Sequence, residues 1–203
     1  MFKHHLLQFA TTALNELAES SANDPVSESH YLSLWVTQAI KQKRFDLCLS
    51  QQLKEWQQSA RTLGLGANLK QQFMSIKRDI EHVDSFNAGV NKSVIEALLS
   101  DIEASDWQVS YQLIGRKKLS VKMLQSSSLV IDSACFDKAF DDSGRFIGEL
   151  FIYLRGDKAQ FFKRAYELGV LCYKLSDYKS NVKFHGQFVI APDNNYPSLP
   201  ESF

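Results

Sequence analysis

His185 and Asp177, with Cys172 or Cys135 as nucleophile, are the one combination of base, acid and thiol that this chain offers for covalent catalysis. Such chemistry needs the base within hydrogen-bond reach of the nucleophile, and a third group to orient that base. None of these residues sits in a nucleophile elbow, a glycine-rich loop or a spacing that would fix the geometry. Cys172 falls in the middle of an apolar run, where a thiol is ordinarily buried. The catalytic candidates His185 and Asp177 are therefore residue types without an implied arrangement.

A second group of residues could hold an anion. Arg155, Lys158, Lys174, Lys179, Lys183 and His185 lie in a stretch, Arg145 to Lys183, where eight basic residues meet only Glu149, Asp157, Glu167 and Asp177. Arg155 and Lys158 flank the start of a helix, whose backbone donors and partial positive charge attract anions. The plainer alternative is a solvated sheet edge on which lysines prevent strand-to-strand association.

Metal and cofactor chemistry has less to build on. His4 and His5 are adjacent and so point to different helical faces, unlike an i, i+4 pair. The turn Asp141-Asp142-Ser143-Gly144 resembles the start of a calcium loop, but Ile152 stands where the bidentate glutamate belongs. There is no zinc spacing, Walker loop or dinucleotide fingerprint, and no metal site or cofactor is expected.

The elements that must position these residues follow from periodicity. Leu6, Ala10, Ala13, Leu14 and Leu17 form the stripe of a first helix, over about 3–19. Asp24 and Pro25 start a second, with Leu32, Trp35, Val36, Ala39 and Ile40 inward. Its basic end, Lys41, Lys43 and Arg44, suits the negative pole of the helix. A third follows Asp46 (Leu49, Leu53, Trp56, Ala60, Leu63) and stops at Gly64. Asn68 caps a fourth (Leu69, Phe73, Ile76, Ile80) and Asn91 a fifth (Val94, Leu98, Leu99, Ile102). Trp35 and Trp56 fall on apolar stripes and read as core anchors.

Residues 56–76 approach the spacing of a helix-turn-helix, with Ala60 and Gly64 as its alanine and glycine. The anchors Leu69 and Phe73 come one residue early, which rotates the second helix by about 100°. That would point a different face outward; Lys70, Gln71, Gln72 and Lys77 are reasonable groove residues, but the helical half carries more acidic than basic residues. A structural helical hairpin is the simpler expectation.

After Asp106 the period changes to two. Trp107, Val109, Tyr111 and Leu113, then Leu119, Val121 and Met123, suggest a hairpin turning at Gly115 to Lys117. Ser126 to Ser128 form a polar break before a strand at Leu129 to Ile131, and residues 133–140 make one or two helical turns. Leu150 to Leu154 is apolar on both faces. Asp157 caps a helix with Gln160 completing a capping box, and Gly169 closes it. Val170 to Leu175 is a strand, giving 148–175 the order of a βαβ crossover. A loop, SDYKSN, leads to a last strand with Val182, Phe184, Gly186, Phe188 and Ile190 inward and Lys183, His185 and Gln187 on a wet, basic face.

These elements make an α+β protein: an amphipathic helical bundle over 1–105 packed against a mixed β-sheet over 106–203 that contains a βαβ unit and hairpins, as two regions or one continuous domain. Twenty-three basic and 23 acidic residues cancel, which disfavours a protein devoted to coating nucleic acid or anionic lipid. The helical half itself carries ten basic and twelve acidic residues. Three distant cysteines and the lack of a continuous apolar leader point to the cytoplasm, and no run is long enough for a membrane span.

The segments PVSESHYLSLWVTQAIKQKRF, ARTLGLGANLK and DYKSNVKFHGQFVI, in this order, resemble an uncharacterised bacterial family of about this chain's length, known as a domain of unknown function. The resemblance implies a bacterial protein acting as a unit and brings no activity or site residue. The expected function is a non-enzymatic binding or adaptor protein with a protein partner and a basic, anion-recognising face. The alternatives are an accessory protein that binds DNA or RNA, and a small hydrolase or transferase.

Overall fold

Asp24 shows how closely the front of the chain follows its local chemistry. Its Oδ1 accepts from the amides of Val26 (2.9 Å) and Ser27 (3.2 Å), while Ser27 Oγ accepts from the Asp24 amide. That reciprocal cap, with Pro25 as the first helical residue, satisfies donors that a helix start leaves unpaired. The computed structural model describes residues 1–86, 89–177 and 179–201. Its helices are α1 (Phe2–Glu19), α2 (Pro25–Lys41), α3 (Ser50–Leu63), α4 (Leu69–Asp84), α5 (Lys92–Ala104), α6 (Ser133–Lys138) and α7 (Lys158–Glu167). The strands are β1 (Trp107–Gln112), β2 (Ser127–Asp132), β3 (Leu150–Arg155), β4 (Cys172–Ser176) and β5 (Gly186–Ile190). The fold is α+β, with helices leading into a mixed sheet. No helix among the described residues is long and apolar enough to cross a membrane.

The chain divides into two compact units, Met1–His82 and Val83–Phe203. In the first, Phe9 of α1 is fully buried and meets four rings. It stacks on Trp56 at 5.0 Å and touches Trp35, Phe45 and Phe73 edge-on at 5.2, 4.9 and 5.3 Å. Arg44 pairs with Glu16 and lies over Trp35, so part of the basic end of α2 is held by a specific partner. Asn68 adopts a left-handed conformation (φ +48°) instead of a capping one; asparagine tolerates it because its short side chain crowds the backbone little.

In the second unit the strand order is β1-β2-β3-β5-β4. β1 pairs parallel with β2, so the expected hairpin at 107–123 does not form. Residues 113–126 instead lie along the sheet, where Ile114, Leu119 and Val121 pack on Val130, Tyr153 and Val182. The alternation of Leu119, Val121 and Met123 is that of an extended chain, and it cannot tell a hydrogen-bonded strand from a strap. β3 and β4 both pair antiparallel with β5, which sits between them. The β3-α7-β4 crossover is thus a βαβ unit split by a third strand.

Packing puts α5 with the sheet. Its Ile95, Leu98, Leu99 and Ile102 share one core with Leu129, Ile131, Leu150, Ile152 and Leu154 of the sheet and with Phe161, Phe162 and Ala165 of α7. The switch of period at Asp106 marks a change of element type, whereas the change of core comes earlier.

β2 is buried along its whole length, including Ser127 and Ser128, two of the three serines that read as a polar break. Ser127 Oγ accepts from the Asp157 amide at 3.1 Å, pinning the turn between β3 and α7. That turn comes so close that a Cβ on Gly156 would stand 2.3 Å from Ser127 Oγ and 2.7 Å from Ser127 Cα, at a φ of +101°. Replacing Gly156 by alanine is expected to cost more than about 1 kcal/mol through strain and overlap. Gly115→Ala, in open space, should leave the urea midpoint unchanged. Equal midpoints for the two variants would contradict the close approach.

Candidate functional site

Three segments of the second unit meet beside the end of β3. The β3–α7 turn brings Arg155 and Lys158, and it is fixed by Ser127 and by the Asp157 carboxylate, which caps α7 through the Gln160 amide at 3.1 Å. Gln160 does not close the expected box, because its Oε1 accepts from Trp107 Nε1 at 2.7 Å. The 113–126 strap brings Lys118. Its neighbour Leu119 donates to the Asn181 carbonyl (2.8 Å) and accepts from the Lys183 amide (2.9 Å). That bridge ties the strap to the β4–β5 connection, which brings Lys183, Phe184 and His185. Tyr178, in the expected SDYKSN loop, lies outside the described residues.

Together they border an open depression of about 670 Å³, lined by Lys118, Lys158, Lys183, Asp177, Phe184 and His185 among others. Among the described residues, Lys118, Lys183 and Arg155 have no carboxylate in ion-pair reach. Asp177, the one acid among the described residues of the lining, bonds Lys174 at 2.7 Å and lies 3.5 Å from Lys158. The Lys174 hydrogen bond, against the opposing effect of burial, holds the Asp177 carboxyl below its ordinary range. Gly186 leaves space for Lys158, whose ammonium would be 3.0 Å from a Cβ there and lies 5.5 Å from the Phe188 ring centre. The lining therefore carries net positive charge that the protein itself does not neutralise.

The last strand starts later than its alternation suggests. Phe184 has a φ of +66°, and at this break Phe184 and His185 exchange the sides that the alternation gives them, while Val182, Phe188 and Ile190 stay buried as expected. Phe184 is 79 % exposed, with Arg155 5.4 Å from its ring centre, whereas His185 is 1 % exposed. His185 is thus not part of a wet face. Its Nδ1 donates to the Lys183 carbonyl at 2.8 Å, because that oxygen can only accept. This leaves Nε2 to accept from Ser128 Oγ at 2.9 Å. Burial pushes the imidazole below its ordinary pKa; the Lys183 carbonyl opposes this and nearby Arg155 adds to it.

Of the residues singled out from sequence, Lys158, Lys183, His185 and Asp177 line the depression, Arg155 stands against its Phe184 wall, and Lys174 is engaged by Asp177. Lys179 is exposed, with its amide on Ser176 Oγ, and does not line it. His185 and Asp177 each bond other groups. Ser128, the hydroxyl that His185 meets, is itself fully buried, out of reach of a substrate. Burial raises the Cys135 and Cys172 thiols, the opposite of what a nucleophile needs. Sequence reasoning missed Lys118, Ser128 and the exposure of Phe184. The one local signal was the pair of serines preceding an apolar strand.

Other candidates are accounted for structurally. Lys70 pairs with Glu28 at 2.6 Å, Gln72 accepts from Trp56 Nε1 and donates to the Ala67 carbonyl, and Lys77 is 3.9 Å from Glu81. Asp141 folds its own turn, accepting from the Ser143 and Arg145 amides at 2.9 Å. A second depression, of about 610 Å³, mixes Lys92 and Arg145 with Glu96 and Asp193 and concentrates neither sign.

A family model described as a protein of unknown function matches residues 1–202. No curated protein and no solved structure matches the chain.

His185 makes stability depend on pH in a definite direction. Its folded pKa lies below the unfolded value of about 6.5, so the unfolded chain takes up the proton first. Stability should be full above about pH 6.5 and fall as the pH drops from there towards the folded pKa. In urea titrations at pH 7.5 and 5.5, His185→Gln should lose less stability between the two than the parent chain. An identical loss in both would show that His185 is not the group responsible.

Proposed function

We propose that this chain, which belongs to the DUF2913 family of proteins of unknown function, is a non-enzymatic binding protein of the bacterial cytoplasm. Its basic depression recognises an anionic group carried by a protein partner. The observation that carries this reading is the meeting of Lys118, Lys158 and Lys183, from three separate segments, around one depression where, among the described residues, the only lining carboxylate is already paired. Lys158 shares Asp177 with Lys174, but Lys118 and Lys183 have no carboxylate in ion-pair reach among the described residues; such cations cost self-repulsion, which a bound anion relieves. Enzymatic readings have less support, because both ring nitrogens of His185 and the carboxylate of Asp177 are engaged within the protein.

A second reading, an accessory nucleic-acid-binding protein, is favoured by Phe184. An exposed ring flanked by cations is the combination on which single-stranded bases stack while their phosphates are held.

Titration with pyrophosphate, followed by amide chemical shifts, tests the first reading. Shifts should concentrate at Lys158, Ser180, Lys183 and Gly186 and weaken with added salt. Lys118→Ala and Lys183→Ala should each reduce affinity about two- to fivefold, as suits partly exposed charge contacts. Shifts spread over the surface, or an affinity that the double variant leaves unchanged, would refute it. Retention of single-stranded DNA that Phe184→Ala abolishes would favour the second reading.

A further inference from the structure

We propose that His5, Asp46 and Cys48, in the first unit, form a binding site for a divalent transition-metal ion of the zinc class. One ligand atom from each, an imidazole nitrogen, a carboxylate oxygen and a sulfur, lies within 4.8 Å of the other two, and His5 Nε2 is 3.8 Å from Asp46 Oδ2. Bonds of about 2.0–2.3 Å in a tetrahedron separate such ligand atoms by about 3.3–3.8 Å. Closing on an ion thus asks for a movement of about 1 Å or less, within the reach of side-chain rotation on a fixed backbone.

The backbone around these residues is held by the core. His5 sits one turn before Phe9 on α1, and Phe9 touches Phe45, the residue preceding Asp46, at 4.9 Å between ring centres. On the other side, Leu49, next to Cys48, is fully buried. The two carboxylate oxygens of Asp46 have separate tasks. Oδ1 accepts from the Cys48 amide at 2.8 Å, which fixes the carboxylate plane and leaves Oδ2 towards His5. Orientation of a ligand by such a bond is what tunes metal sites from outside the first coordination sphere.

The donor set selects the ion. A thiolate and an imidazole beside one carboxylate suit zinc and its neighbours, whereas magnesium and calcium require oxygen cages. Three protein ligands leave a fourth position for water or for a donor from outside. Asp46 and Cys48 are exposed and His5 is half-buried, so an ion has access. The competing explanation is an ordinary surface pair between His5 and Asp46 with a thiol nearby by chance, and it differs in giving Cys48 no role.

The experiment uses the full chain, kept reduced with a phosphine, and Co2+ followed by Zn2+. The expected result is one Co2+ per chain, with a near-ultraviolet thiolate-to-cobalt band and the strong visible bands of a four-coordinate ion, both bleached by Zn2+. Cys48→Ser should abolish the thiolate band, and Cys135→Ser should leave it intact. His5→Ala should weaken binding by at least about 100-fold, beyond the range of about 10–100-fold lost with an outer-sphere partner. In the unmodified chain, Zn2+ should cause loss of iodoacetamide labelling at Cys48, a readout that needs no variant. Absence of the thiolate band at saturating Co2+, its persistence in Cys48→Ser, or undiminished labelling of Cys48 would overturn the proposal.

Discussion

Two consecutive hydroxyls inside β2 set the constraint on which the candidate site depends. Side chains alternate across a strand, so Ser127 and Ser128 address opposite faces of the sheet. Ser127 takes the amide of Asp157 and fixes the turn that carries Arg155 and Lys158. Ser128 takes His185 and fixes the connection that carries Lys183 and Phe184. Both serines are buried, and a buried hydroxyl without a partner costs about 1–3 kcal/mol. The two segments are therefore held where these oxygens are, and their basic side chains follow.

The charges around the depression divide into a neutralised set and a free one. Asp177 lies between Lys174 and Lys158, and Glu201, whose carboxyl is raised chiefly by burial against the pull of Lys174, adds to the same group. These charges, brought together from the end of β4, the start of α7 and the C-terminal segment, offset one another. Lys118, Lys183 and Arg155 stand apart from them, Arg155 resting on the Phe184 ring. A chain with no net charge can in this way present a locally basic surface, because its acids are placed where they serve the fold.

The first unit is built on another principle, a single aromatic centre. Phe9 unites rings from α2, α3, α4 and the segment after α2. The same centre holds the backbone beside His5 and Asp46, so residues distant in sequence come to share a few ångströms of surface.

Sequence alone determined what depends on neighbours along the chain. The helical stripes of Leu32 to Ala39, Leu69 to Ile80 and Leu98 to Ile102, the caps at Asp24, Asn91 and Asp157, and the α+β class follow from spacing and from donors that a helix end must satisfy. Only the tertiary structure decided which extended segments pair. The alternation at 119–123 is the same for a strand and for a strap, and the apolar run of β5 does not by itself say that it lies between β3 and β4. It also exchanged the sides of two residues just before β5, since a left-handed backbone at Phe184 sends His185 inward to Ser128 and the ring outward, while Phe188 and Ile190 stay in the core. No local pattern encodes that exchange. It depends on whether the partner hydroxyl is waiting on a strand far away in sequence, and that is a property of the assembled sheet.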